Sequence, residues 1–193
     1  ALEVLTRVRR DDAFANLLLP ELLEAADLDR RDAGFATALT YGTLRLRGRY
    51  DAMIAACTDR PLERIDAAVL DVLRLGAHQL MGMRVAQHAA VSTTVDLATT
   101  SCGRGAATFV NAVMRRLSER DLDSWMAVLR RDAPDETAAL ARTQSHPEWI
   151  VKALRQALAT HGRSGDELEA LLAADNVDPE VVLCARPGLI APE

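Results

Sequence analysis

Between Ile65 and Met83 the chain offers almost no polar face: Ile65, Ala68, Val69, Leu70, Val72, Leu73, Leu75 and Leu80 fall all round a helical wheel. A helix that is hydrophobic on every side has to be surrounded, so this segment predicts the central helix of a bundle. Gly76 in its interior costs roughly 1 kcal/mol relative to Ala, and the compensation is close approach by a neighbouring helix. His78 lies on the same helix and reads as a hydrogen-bonded core side chain rather than a catalytic base.

The remaining segments fit the same plan. Hydrophobic residues make up 49% of the 193 residues but aromatics only 4%, so the core is aliphatic, and the scarcity of β-branched runs points to an all-α protein. Leu2, Leu5 and Val8 give a first amphipathic helix with Arg7, Arg9 and Arg10 beside them. A second helix is expected over 14–26, with Pro20 starting a turn or bending it. A third, capped by Asp29, runs to near Leu46, Gly48 allowing a break, and a fourth ends at Cys57. Helices over 88–99 and 106–117 follow, joined by Ser101–Gly105, where two glycines flank Arg104 as an anion nest or, more simply, a flexible connection.

After Arg120 the composition turns acidic and polar. A weak helix around 125–130 precedes Asp135, which reads as a cap. Ser145-His146-Pro147-Glu148 has the form of a capping box ahead of Ile150, Val151, Leu154 and Leu158, and Ser164–Glu167 repeats the device. Two helices, over 146–160 and 165–174, are predicted, and Val181–Ala185 reads as a first β-strand. The expected division is a helical domain over 1–120, a helical linker region over 121–175 and the start of a further region over 176–193.

The net charge of −5 hides an uneven distribution. Residues 1–120 carry 16 Arg against 15 acidic groups, and 121–193 carry 7 basic against 13 acidic, so the first part can present a basic face to a phosphate backbone. In Phe109–Leu117 the residues Phe109, Val110, Val113, Met114 and Leu117 form one apolar face, and the helix ends in Arg115 and Arg116, whose planar forks suit phosphate. Asn111 is expected to satisfy a buried backbone group.

Other chemistry is not indicated. Cys57, Cys102 and Cys184 are odd in number and far apart, which fits neither a disulfide framework nor zinc-ligand spacing and suggests a reducing, cytoplasmic setting. No apolar run is long enough to span a bilayer. The chain lacks an initiator Met, which suggests a trimmed piece. Gly-rich phosphate loops, metal motifs and a nucleophile elbow are not found, His88 and His146 sit near helix starts, and no catalytic, cofactor-binding or metal-ligating residue is assigned.

The ordered series Phe35…Leu39-Thr40-Tyr41-Gly42-Thr43-Leu44-Arg45, Leu73–Leu80, His88-Ala89-Ala90-Val91 with Val95-Asp96-Leu97-Ala98, and Phe109–Arg115 resembles the NusB-like family. The element Ser145-His146-Pro147-Glu148-Trp149-Ile150-Val151 is similar to the linker of the RsmB/Fmu/Sun branch. Departures at His78, Ala86 and Ser92–Thr94 read as packing or loop positions, and Cys184 falls near another departure.

The resemblance implies a NusB-like helical bundle and linker at the N-terminus of an S-adenosylmethionine-dependent 16S rRNA cytosine-C5 methyltransferase. The catalytic domain with its cofactor and two catalytic cysteines is expected beyond Glu193, so this chain holds no cofactor and Cys57, Cys102 and Cys184 inherit no catalytic role. Expected partners are 16S rRNA and that C-terminal methyltransferase domain, with no membrane. The RNA-binding candidates are Arg45, Arg47, Arg104, Arg115 and Arg116, then Arg7, Arg9 and Arg10, although exposure is the default for Arg and each fits a solvated surface charge equally well. Two alternatives stay open: a free-standing NusB-type transcription antitermination factor, and a domain that only packs against its catalytic neighbour.

Overall fold

The computed structural model describes residues 1–178, which fold as eleven α-helices with no strand among them. The order is α1 (Leu2–Asp11), α2 (Ala15–Ala25), α3 (Arg30–Arg45), α4 (Arg47–Ala56), α5 (Ala67–Met81), α6 (Gln87–Cys102), α7 (Arg104–Ser118), α8 (Leu122–Arg131), α9 (Glu136–Thr143), α10 (Glu148–Thr160) and α11 (Glu167–Ala174). The all-α expectation is borne out. The strand expected over 181–185 lies outside the described residues.

The apolar segment around Val72 is the hub. Asp66 caps α5 by accepting from the backbone of Ala68 and Val69, and every residue from Val69 to Gln79 is buried. Helices α1, α3, α4, α6 and α7 all pack against it. Gly76 marks the tightest approach: a Cβ there would stand 2.7 Å from both Met114 Sδ on α7 and Thr94 Cγ2 on α6. The expected reason for this glycine therefore holds.

A helix without a polar face still buries charge here. Asp71 and Arg74 are buried on α5 at 1% and 5% exposure. Buried charges persist when they are paired and hydrogen-bonded, and these are: Asp71 accepts from Arg74 at 2.9 Å and from Arg9 of α1 at 2.8 Å, while Arg74 reaches Asp51 of α4 at 2.7 and 2.8 Å. One line of alternating charge thus ties α1, α5 and α4 together.

Local signals decide several helix ends. Asp29, Asp121 and Asp135 each accept from the backbone N–H three residues on, which satisfies a donor left open in the first turn. The expected loop Ser101–Gly105 is neither nest nor flexible connection: α6 runs to Cys102, Gly103 turns the chain at φ 88°, and α7 starts at Arg104. The break near Gly48 falls at Leu46 instead.

The main core does not stop at residue 120. Trp125 and Leu129 of α8 belong to it, and Trp125 Nε1 donates to the Leu117 carbonyl at 2.9 Å. A smaller core of Leu140, Ala141, Val151, Leu168 and Leu172 joins α9, α10 and α11. The expected capping box at Ser145 is absent, because tertiary partners take its hydroxyl. Ser145 Oγ donates to the Arg45 carbonyl at 3.1 Å and accepts from Arg49 N at 3.3 Å, and Arg49 Nε donates to the Thr143 carbonyl at 2.7 Å. These bonds fasten the α9–α10 turn to the α3–α4 junction, and Gly48 leaves room for Ser145 there. Ser164 likewise gives α11 no side-chain cap.

Candidate nucleic-acid interface

The eight candidate arginines divide by what their guanidinium groups already do. On α1, Arg9 is bonded to buried Asp71 and Arg10 to neighbouring Asp11 at 2.8 and 3.1 Å, whereas exposed Arg7 makes no side-chain hydrogen bond among the described residues. Arg45 at the end of α3 pairs with Asp178, and Arg47 at the start of α4 stands 3.8 Å from Asp51. In the last turn of α7, Arg116 donates to the Cys57 carbonyl at 2.9 Å. Arg104 and Arg115 are exposed and make no side-chain hydrogen bond or ion pair among the described residues.

The fold gathers only some of this set. Arg9 and Arg47 line one narrow cleft together with Asp71 and Arg74, so their charge is largely answered from within. Arg104 and Arg115 occupy opposite ends of α7, separated by about 17 Å along its axis at the helical rise. Of the eight candidates, Arg7, Arg104 and Arg115 therefore keep their charge unanswered among the described residues, with Arg116 held by a neutral carbonyl.

Arg115 opens onto a groove of about 580 Å³ that runs between α6 and α7 and is lined by Gln87, His88, Val91, Ser92, Val95, Asp96, Asn111, Arg115 and Ser118. Sequence reasoning missed most of it. Asn111 was expected to serve a buried backbone group, yet it is half-buried on the groove with no side-chain hydrogen bond among the described residues. Ser92, read as a packing or loop position, is exposed on the same groove. The only hint in the sequence was the spacing Ser92–Asp96 and Asn111–Arg115, four residues each, which puts each pair on one helix face.

Two titratable groups elsewhere are built out of use. His78 Nδ1 is 2.7 Å from Tyr50 Oη, and burial lowers its pKa to about 4, against the opposing hydrogen bond with the Ala38 backbone. It is a neutral core residue at pH 7, as expected from sequence. Burial pushes the Cys57 thiol up to about 11, which leaves it protonated and unreactive. Among the described residues no group of three or more His, Cys, Asp or Glu is arranged to hold a metal ion, and no helix is long and apolar enough to cross a membrane.

The sequence profile of the NusB family matches residues 1–119. The chain belongs to the NusB family. Its helices beyond residue 119 have relatives as well. "Putative methyltransferase Rv1407" of Mycobacterium tuberculosis (strain H37Rv) is 47% identical over 191 residues, covering 98% of this chain and 41% of that protein. "Ribosomal RNA small subunit methyltransferase B" of Pseudomonas putida is 32% identical over 183 residues, 95% of this chain and 38% of that protein. The counterpart in Pseudomonas syringae is 32% identical over the same length. This NusB-family chain spans about two fifths of the length of the relatives it matches. The resemblance read from the ordered motifs and from Ser145–Val151 is borne out.

Proposed function

We propose that this chain is the RNA-engaging N-terminal part of an S-adenosylmethionine-dependent 16S rRNA cytosine-C5 methyltransferase, acting in the cytoplasm. The observation that carries the reading is the continuous similarity to proteins named ribosomal RNA small subunit methyltransferase B across 95% of the chain, past the end of the NusB match at residue 119. A NusB bundle with these further helices attached is the shared unit.

The division of labour follows from chemistry. On this reading the methyl donor and the reacting cysteines are the task of the part of the relatives' length that this chain does not span. What this chain supplies is position. Arg7, Arg104 and Arg115 offer unanswered charge to phosphate oxygens, and Arg116, Arg45, Arg47, Arg9 and Arg10 are candidates whose guanidinium groups must first give up a present partner. Phosphate contacts of this kind fix register on the RNA and carry no sequence information. The fastening of α9–α10 to the α3–α4 junction through Ser145 keeps the linker in a set place on the bundle. Free thiols at Cys57 and Cys102 suit a reducing compartment.

The test is titration of the chain against 16S rRNA fragments over a range of salt. Binding whose logarithm falls linearly with the logarithm of salt supports the reading, and a flat or absent response overturns it.

A further inference from the structure

The hairpin of α6 and α7 lines one groove with the polar side chains of Ser92, Asp96, Asn111 and Arg115, beside exposed His88. Gly103 reverses the chain within a single residue, and Gln87 Nε2 donates to the Ser118 carbonyl at the open end. Ser92 and Arg115 line the groove nearer that bond, and Asp96 and Asn111, four residues further along their helices, line it one turn deeper into the hairpin. The carbonyls of Asp96 and Arg115 accept from Thr100 and Ser118, but the side chains of Ser92, Asp96, Asn111 and Arg115 make no hydrogen bond or ion pair among the described residues. Val91 and Val95 are half-buried along the groove between them.

The donor and acceptor types are complementary to one kind of ligand. A carboxylate only accepts, a guanidinium only donates, and an amide does both. Over an apolar floor that fits the flat face of a base, two carboxylate oxygens match two adjacent N–H donors. Among the four RNA bases only the Watson–Crick edge of guanine carries such a pair, N1–H and N2–H, with the O6 acceptor beside them for the Asn111 amide. That edge is consumed in a duplex, so the base must be unpaired. We propose that the α6–α7 groove holds one unpaired guanine nucleotide of the RNA, with Asp96 and Asn111 on the base and Arg115 on its phosphate. This rests on the RNA-engaging reading above and adds to it a base preference.

The experiment is fluorescence anisotropy of the whole chain with single-stranded oligouridine carrying one central guanosine, adenosine, cytidine or inosine. The guanosine oligomer should bind about tenfold or more tighter than its adenosine and cytidine counterparts, the scale of a two-bond base contact. Inosine lacks the 2-amino group and should fall between. Asp96→Asn and Asn111→Ala should abolish the preference and weaken guanosine binding, with circular dichroism melting showing both variants folded. Asp96→Asn removes a negative charge, so charge alone would strengthen binding to every oligomer. Strengthened binding in that variant, a preference for another base, or a guanosine preference that survives Asn111→Ala overturns the proposal. Salt-dependent binding that responds to Arg7 and Arg104 but not to Asp96 sinks the groove and leaves the RNA-engaging reading standing. No salt-dependent binding to any RNA sinks both.

Discussion

The Tyr50 hydroxyl of α4 and the His78 Nδ1 of α5 meet at 2.7 Å inside the bundle, their rings tilted by 58°. A Cβ on Gly42 or Gly82 would collide with the His78 ring, so two glycines make the space that the imidazole fills. A neutral His78 has a single N–H, which it donates to the Ala38 backbone, so Nδ1 is the acceptor and Tyr50 donates. Tyr50→Phe would leave that buried acceptor empty, and the expected loss is about 1–3 kcal/mol of unfolding free energy, measured by urea titration at pH 7.

The same histidine gives stability a pH dependence. Its pKa is about 4 in the folded chain against 6.5 in the unfolded one. The contribution is therefore full above about pH 6.5 and is lost as pH falls towards 4, at most about 3 kcal/mol by linkage. His78→Gln cannot charge, so its urea midpoint should decline less than the parent's between pH 6.5 and 4. Parallel declines would contradict a buried neutral histidine.

Gly76→Ala and Gly34→Ala should move stability in opposite directions. At Gly76 the added methyl meets Met114 and Thr94 at 2.7 Å, and overpacking outweighs the gain in helix propensity, giving a net loss of about 1–2 kcal/mol. At Gly34 in α3 nothing lies within 4 Å of a new Cβ, and a gain of roughly 0.5–1 kcal/mol is expected. Thermal melting of the two variants checks the contrast.

Asp71 sits between two guanidinium groups at 2% side-chain exposure. Asp71→Asn should cost about 2–4 kcal/mol, because it strands buried Arg74 with Asp51 as its remaining partner. Arg9→Ala should cost about 1 kcal/mol or less, since Arg9 is 30% exposed. A double-mutant cycle between positions 9 and 71 should return a coupling energy well above zero.

The arginines should separate into two classes when RNA binding is followed against salt. Arg7→Ala, Arg104→Ala and Arg115→Ala should each lower the log–log slope by about one and leave the melting temperature almost unchanged. Arg9→Ala should do the reverse, lowering the melting temperature with little change in slope. A uniform response across the four variants would refute the partition drawn from their partners.

Much of the architecture was legible residue by residue. The apolar run around Val72 required a central helix, Asp29 and Asp135 announced helix starts, Gly76 announced a close crossing, and the ordered motifs announced the family. The signals that failed were local ones with distant competitors. Ser145 looked like a cap because Glu148 follows it by three residues, but Arg45 and Arg49 claim its hydroxyl. Asp71 and Arg74 stand three residues apart, but the partners that make them a buried network, Arg9 and Asp51, lie 62 and 23 residues away. Asn111 looked like a structural amide until the hairpin left it on an open groove.

The sequence by itself determined that this chain is a helical bundle built round α5, since helical periodicity and burial are properties of neighbours along the chain. Only the tertiary structure decided which charges are spent on holding the bundle together and which are left for a ligand. Eight arginines look alike in one dimension. Their difference lies in whether a carboxylate or carbonyl from a remote helix stands within hydrogen-bonding distance, and for Arg9 and Arg116 one does, while Arg115 faces an open groove.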